Sequence, residues 1–213
     1  MERTQRSVTA SIVLIAILHL VGVVGLSLDN TRPLFQSIFP LNLLVTAGVL
    51  AIFHRLWTQK FGYFVFGIFW AGFLIEYIGV HTGVIFGHYF YGETLGFKVG
   101  GIPIVMGLLW VILVYMSGVI AQPISGNIWV RASISALLIL VMDLLLEPLA
   151  FTFDLWNWNN VHPPLQNYLA WYILGWVMSY IFHSIYQEKS NPLAFPAYAI
   201  MVFSLVMFLV VGA

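Results

Sequence analysis

The sequence predicts an all-α, polytopic integral membrane protein with about seven transmembrane helices and a cytoplasmic N-terminus. Three observations support this. The chain is 61% hydrophobic and only 8% charged, whereas a soluble domain carries about 25% charged residues. Seven windows of mostly apolar residues reach the length of about 20 that a spanning helix needs. Basic residues, assigned to alternating sides of those windows, collect on one face.

The first window, Val8 to Leu28, follows Arg3 and Arg6. Its apolar run is near spanning length and no A-x-A-like small-residue site follows, so it reads as a retained helix rather than a secretory signal. The second, Leu34 to His54, is interrupted by Pro40 and Asn42 and is expected to kink. Gly62 to Val80, Gly101 to Ala121, Ile128 to Leu149, Leu165 to Ile185 and Pro192 to Val211 complete the set. Breaks fall where Gly, Pro, Asn and charge gather, above all in the long stretches His81 to Gly100 and Phe151 to Pro164. Residues 1–213 are expected to form a single transmembrane domain.

With seven spans, one side holds Arg3, Arg6, Arg55, Lys60, Arg131 and Lys189, and the other Arg32 and Lys98. Six against two places the N-terminus in the cytoplasm, as for a multi-pass protein of the cell's inner membrane. Trp57, Trp129 and Tyr186 lie near the inner ends, where interfacial aromatics belong. A formal net charge of zero leaves no basic surface for a nucleic-acid backbone. With no cysteine there is no disulfide, thiolate nucleophile, iron–sulfur cluster or Cys-ligated zinc.

Acidic residues favour the opposite pole. Glu76 near the end of the third span, Asp143 and Glu147 near the end of the fifth, and Glu93 and Asp154 in the following loops all fall in the outer half, with His81, His88, Tyr89, Tyr91, Trp156, Trp158, Asn159 and His162. Asp143 and Glu147, four residues apart on a helix, share one face with Cβ atoms about 6 Å apart. Asp143 would lie roughly 9 Å inside the helix end at Leu149. Two carboxylates cannot comfortably ionise there, so at least one is expected as the neutral acid. Pairing with Lys98, a histidine or a loop amide is the bland alternative. Three carboxyls at one depth weigh against it, because ionisable groups within spans are costly and usually functional.

A proton path, an ion site and acid catalysis on a lipid-soluble substrate all suit such a cluster, and composition does not choose among them. A retinal Schiff base is excluded, since Lys60, Lys98 and Lys189 lie in loops. His81 and His88, seven apart, make no H-E-x-x-H-type pattern, and no metal is expected. His19, His54 and His183 are expected to pack with their polar atoms satisfied.

Two ordered stretches carry a resemblance. Glu76-Tyr-Ile-Gly-Val-His-Thr-Gly-Val-Ile-Phe-Gly-His-Tyr-Phe-Tyr91, Leu95-Gly96, Gly101-Ile-Pro103 and Trp110 form one; Asp143-Leu-Leu-Leu-Glu-Pro148, Trp156-Asn-Trp158, Pro164-Leu-Gln-Asn167-Tyr and Trp171 form the other. Together, over roughly residues 70 to 176, they resemble the carotenoid biosynthesis protein family, which includes membrane carotenoid 1,2-hydratases. Glu147 stands where Asp is more usual, and His162-Pro-Pro164 replaces a glycine-containing approach to the Pro-x-x-Asn segment; these departures leave the substrate within the family open.

The resemblance implies addition of water across the C1,2 double bond of an acyclic, lycopene- or gamma-carotene-like end group, without a cofactor, on a substrate dissolved in membrane lipid. Protonating such an alkene needs a shielded carboxylic acid. Asp143 is the first choice for donor, Glu76 the second, and Glu147 the candidate for positioning water. His81, His88, Tyr89, Tyr91, Trp158, Asn167 and Trp171 are the expected substrate-binding residues, with interfacial anchoring the more natural role for Trp156. A cyclase using the same cation and a proton-coupled transporter or carotenoid-binding scaffold are the competing readings.

Overall fold

A computed structural model of the chain describes residues 2–160, 162–185 and 190–211. Tyr186 and Lys189, assigned above to the inner face, lie outside them. Seven helices follow the apolar windows: α1 (Glu2–Ser27), α2 (Arg32–Ile52), α3 (Gln59–Thr82), α4 (Val105–Ala121), α5 (Ile128–Ala150), α6 (Leu165–Ile185) and α7 (Ala194–Val211). Four segments are long and apolar enough to cross a membrane: Gln5–Ser27, Arg32–Ile52, Gln59–Thr82 and Ile128–Ala150. α6 has spanning length but carries Gln166, Asn167, Ser179 and His183, and α4 and α7 are apolar but shorter.

Local chemistry sets several ends. The Thr58 hydroxyl accepts from the Phe61 N–H to open α3, and the Asn127 side chain accepts from the Trp129 N–H to open α5. Gly83, at φ +67°, closes α3 in the left-handed conformation that glycine adopts without penalty. α2 runs through Pro40 as one helix.

The two long connecting stretches contain short strands that the all-α reading did not include. β1 (Tyr89–Tyr91) and β4 (Trp156–Trp158) form an antiparallel pair, and β2 (Lys98–Val99) and β3 (Ile102–Pro103) form a hairpin. Gly100 and Gly101, at φ +59° and +84°, make that hairpin's two-residue turn, a geometry that requires positive φ at both positions. The hairpin takes residues that hydropathy assigned to the fourth span, so α4 begins at Val105 rather than Gly101. At 17 residues it is about 25 Å long.

α4 is the axis of the bundle. It is buried along nearly its whole length and packs against α2, α3, α5, α6 and α7. Close approach depends on glycines facing aromatic rings, with Gly72 of α3 against Trp110 of α4 and Gly118 of α4 against Phe182 of α6. The outer surface of the bundle is apolar, with Val24, Leu34, Tyr63, Phe66 and Ile173 all exposed, as a lipid-facing surface would be.

A candidate active site between three buried carboxyls

Glu76 lies six residues before the end of α3 and Asp143 seven before the end of α5, roughly 9–10 Å inside their C-terminal ends. Glu147 follows one turn after Asp143. All three are buried. The i, i+4 spacing puts Asp143 and Glu147 on one face of α5, and their common partner is Asn167 in the first turn of α6. Its Nδ2 donates to Asp143 Oδ2 and to Glu147 Oε1, both at 3.0 Å, which uses both amide hydrogens. Asp143 Oδ1 is buried without a hydrogen-bond partner among the described residues.

Glu76 is held differently. Its Oε2 accepts from the Tyr89 and Tyr91 hydroxyls at 2.6 and 2.7 Å, and its Oε1 from Trp110 Nε1 at 3.0 Å. Three donors and no acceptor suit a carboxylate. Burial, followed by the Glu76 charge, pushes both phenols above the ordinary tyrosine value, so both stay O–H donors.

The β1–β4 ladder brings the two carboxyl groups' partners together. Its register pairs Tyr89 with Trp158 and Tyr91 with Trp156, while Phe90 and Asn157 occupy the alternate positions. Because side chains alternate across a strand, both tyrosines and both tryptophans turn inward. Trp158 Nε1 donates to Glu147 Oε2 at 2.7 Å, with Trp156 Nε1 at 3.4 Å from the same oxygen.

Between Glu76 and Glu147 is a cavity of about 20 Å³, walled by Tyr89, Tyr91, Trp156, Trp158, Asn167 and Trp171, with Phe86 and Met106. A cavity of that size holds about one water. Trp156 also lines a much larger apolar cavity of about 400 Å³ bounded by α1, α2, α4, α5 and α7.

Not every expected residue reaches the site. Tyr89, Tyr91, Trp158, Asn167 and Trp171 line the small cavity. His81 instead lies exposed, stacked on Tyr77 and bonded to the Tyr77 carbonyl, because it falls on the outward face of the last turn of α3. His88, which precedes β1, is also exposed; its ring packs against Gly83 in a polar outer pocket shared with His162. Asp143 stands behind Asn167 rather than in the cavity wall. Lys98 pairs with Glu93 at 2.8 Å, not with the buried carboxyls. Asp154 accepts from the Glu93 N–H, a role within the loop.

Trp156 is buried against Glu147 rather than placed as an exposed interfacial anchor. Trp110 and Phe86 were not among the expected site residues. Part of the signal for Trp110 was available, since an indole N–H buried in a mostly apolar helix needs a partner from elsewhere, but sequence spacing did not say which carboxyl would supply it.

The sequence pattern of carotenoid biosynthesis proteins matches residues 37–213, well beyond the stretch that carried the resemblance. The chain belongs to the carotenoid biosynthesis protein family. No curated protein and no solved structure matches it. Both motif stretches of this carotenoid biosynthesis protein lie inside the matched region, and α1 lies outside it.

Proposed function

We propose that this carotenoid biosynthesis protein is a cofactor-independent carotenoid 1,2-hydratase, spanning the inner membrane seven times with its N-terminus in the cytoplasm. The observation that carries the reading is a water-sized, aromatic-walled cavity between Glu76 and Glu147, beside an apolar cavity suited to a hydrocarbon chain.

Asp143 and Glu147, bridged by Asn167, share one proton. Asp143, which meets a single donor and has an Oδ1 with no partner among the described residues, holds it at rest. Glu147, which meets three donors, is the face through which it reaches the cavity. The O–H proton passes to C2 of the terminal double bond, and the π electrons form the new C–H bond. This leaves a tertiary cation at C1. Faces of Tyr89, Tyr91, Trp156 and Trp158 stabilise it, by roughly 2 kcal/mol where desolvated. Water in the cavity then forms the C1–O bond and loses a proton to Glu76, whose three donors hold it as the accepting carboxylate. Proton transfer back to the pair completes the cycle.

Expression in cells that accumulate lycopene or gamma-carotene, grown in water enriched in heavy oxygen, tests the reading. A pigment heavier by one labelled water is the expected product. An isomer without added oxygen would make the protein a cyclase, and unchanged pigment would make it a transporter or scaffold.

A further inference from the structure

The 400 Å³ cavity is mostly apolar; Ser204 also lines it, but its hydroxyl donates to the Ile200 carbonyl, and the polar atoms left over gather at one place. His19 of α1 and Asn42 of α2 both line it, and His19 Nε2 and Asn42 Oδ1 are buried with no hydrogen-bond partner among the described residues. His19 thus departs from the satisfied packing role expected of it, which His54 and His183 do fill, bonded to Tyr115 and to Gln122 and Ser135. The two residues are neighbours across the helix pair. Asn42 Nδ2 lies against Gly22, three residues and so one turn beyond His19 on the same face of α1. Polar atoms left unpaired in an apolar wall are costly, which points to a ligand group that meets them.

Asn42 Oδ1 accepts only, and Nε2 of a neutral imidazole either donates or accepts. A keto oxygen cannot satisfy the first, and a carboxylate would be repelled by it. A hydroxyl, which donates and accepts at one atom, serves both. The remaining walls are hydrocarbon and aromatic: Leu26, Phe35, Phe39, Met142, Leu146 and Phe208. Exposed Val21, Ile38 and Leu41 form a rim between α1 and α2, open to lipid if the bundle spans the membrane. Trp156 lines both this cavity and the carboxyl site.

We propose that this cavity binds a polyene alcohol, with its hydroxyl held between His19 and Asn42 and its chain along the apolar walls. The subsite combines one residue inside the family match with one on a helix outside it. Its identification of the ligand as a polyene rests on the hydratase reading; the preference for a hydroxyl does not. One consequence is that the hydrated product competes with its parent for the cavity.

The test uses the full chain carrying Asp143→Asn, which stops conversion, purified from membranes loaded equally with lycopene and 1-hydroxylycopene. The ratio of the two pigments retained is compared with their ratio in the membrane. Enrichment of the alcohol by roughly tenfold is expected, the worth of about one hydrogen bond pair. Adding His19→Leu and Asn42→Leu should return the ratio to that of the membrane while hydrocarbon is still retained. Each single Leu variant should reduce the enrichment, which covers failure of the double variant to fold. An unenriched ratio, enrichment that survives both leucines, or no retained pigment overturns the inference. Enrichment without hydration by the parent protein would sink the hydratase reading alone; hydration without enrichment would sink this inference alone.

Discussion

Tyr89 stands opposite Trp158 in the β1–β4 ladder, and the two residues serve different carboxyls: the phenol donates to Glu76 at 2.6 Å and the indole to Glu147 at 2.7 Å. Three residues of strand from each of two distant loops therefore set the spacing of Glu147 and Glu76. A slip of one residue would turn either Phe90 or Asn157 inward and remove the donors that its strand supplies.

Trp158→Phe keeps an aromatic face but removes the hydrogen bond to Glu147. The carboxylate that Glu147 becomes as its proton leaves would lose a charge-assisted hydrogen bond worth about 1.5–3 kcal/mol, so hydration should slow by roughly 10- to 100-fold. Tyr91→Phe should act similarly through Glu76. Pigment composition over time in a producing host measures both; parent rates in both variants would show that the ladder only packs.

Glu147→Gln and Asp143→Asn should each reduce hydration by about 10²–10⁴, the usual worth of a positioned acid. As the two act as one pair through Asn167, the double variant should be little worse than the worse single. Multiplicative losses would mean that the carboxyls work separately.

Gly72→Ala should be destabilising. A Cβ there would lie 2.6 Å from Trp110 Cδ1, and the indole can move only by leaving Glu76. Overpacking of this kind costs about 1–3 kcal/mol. A lowered Tm in detergent, with reduced hydration below that Tm, is the expected outcome.

Burial and then Glu76 hold the Tyr89 and Tyr91 phenols above the ordinary value of 10.0. Above that pH the unfolded chain loses protons that the folded protein keeps, so this contribution is complete below about pH 10 and is lost as pH rises further. Denaturation in detergent compared at about pH 8 and about pH 11 should show a decline that is smaller in the Tyr89→Phe/Tyr91→Phe variant.

Much of the carboxyl cluster was legible in sequence because helical spacing is a local property. Asp143 and Glu147 share a face by periodicity alone, and Glu76 falls at a similar depth by counting back from its helix end. His81 and His88 lie within the same motif, but their positions on the last turn of α3 and before β1 turn them away from the small cavity, which the motif alone did not reveal. The ladder itself was invisible. Three-residue strands rich in aromatics, set in loops, carry too short an alternation to separate from interfacial anchoring.

Composition and apolar run length were sufficient to establish a helical, lipid-facing chain with seven apolar segments, because burying backbone polar groups in hydrocarbon leaves helices as the economical solution for such segments. Which donor meets which carboxyl, the water-sized gap between Glu76 and Glu147, and the His19 Nε2 and Asn42 Oδ1 left without a partner among the described residues beside a large apolar cavity were decided only by tertiary structure. Each depends on contacts between residues tens of positions apart, whose geometry is set by how helices and loops pack rather than by any local preference.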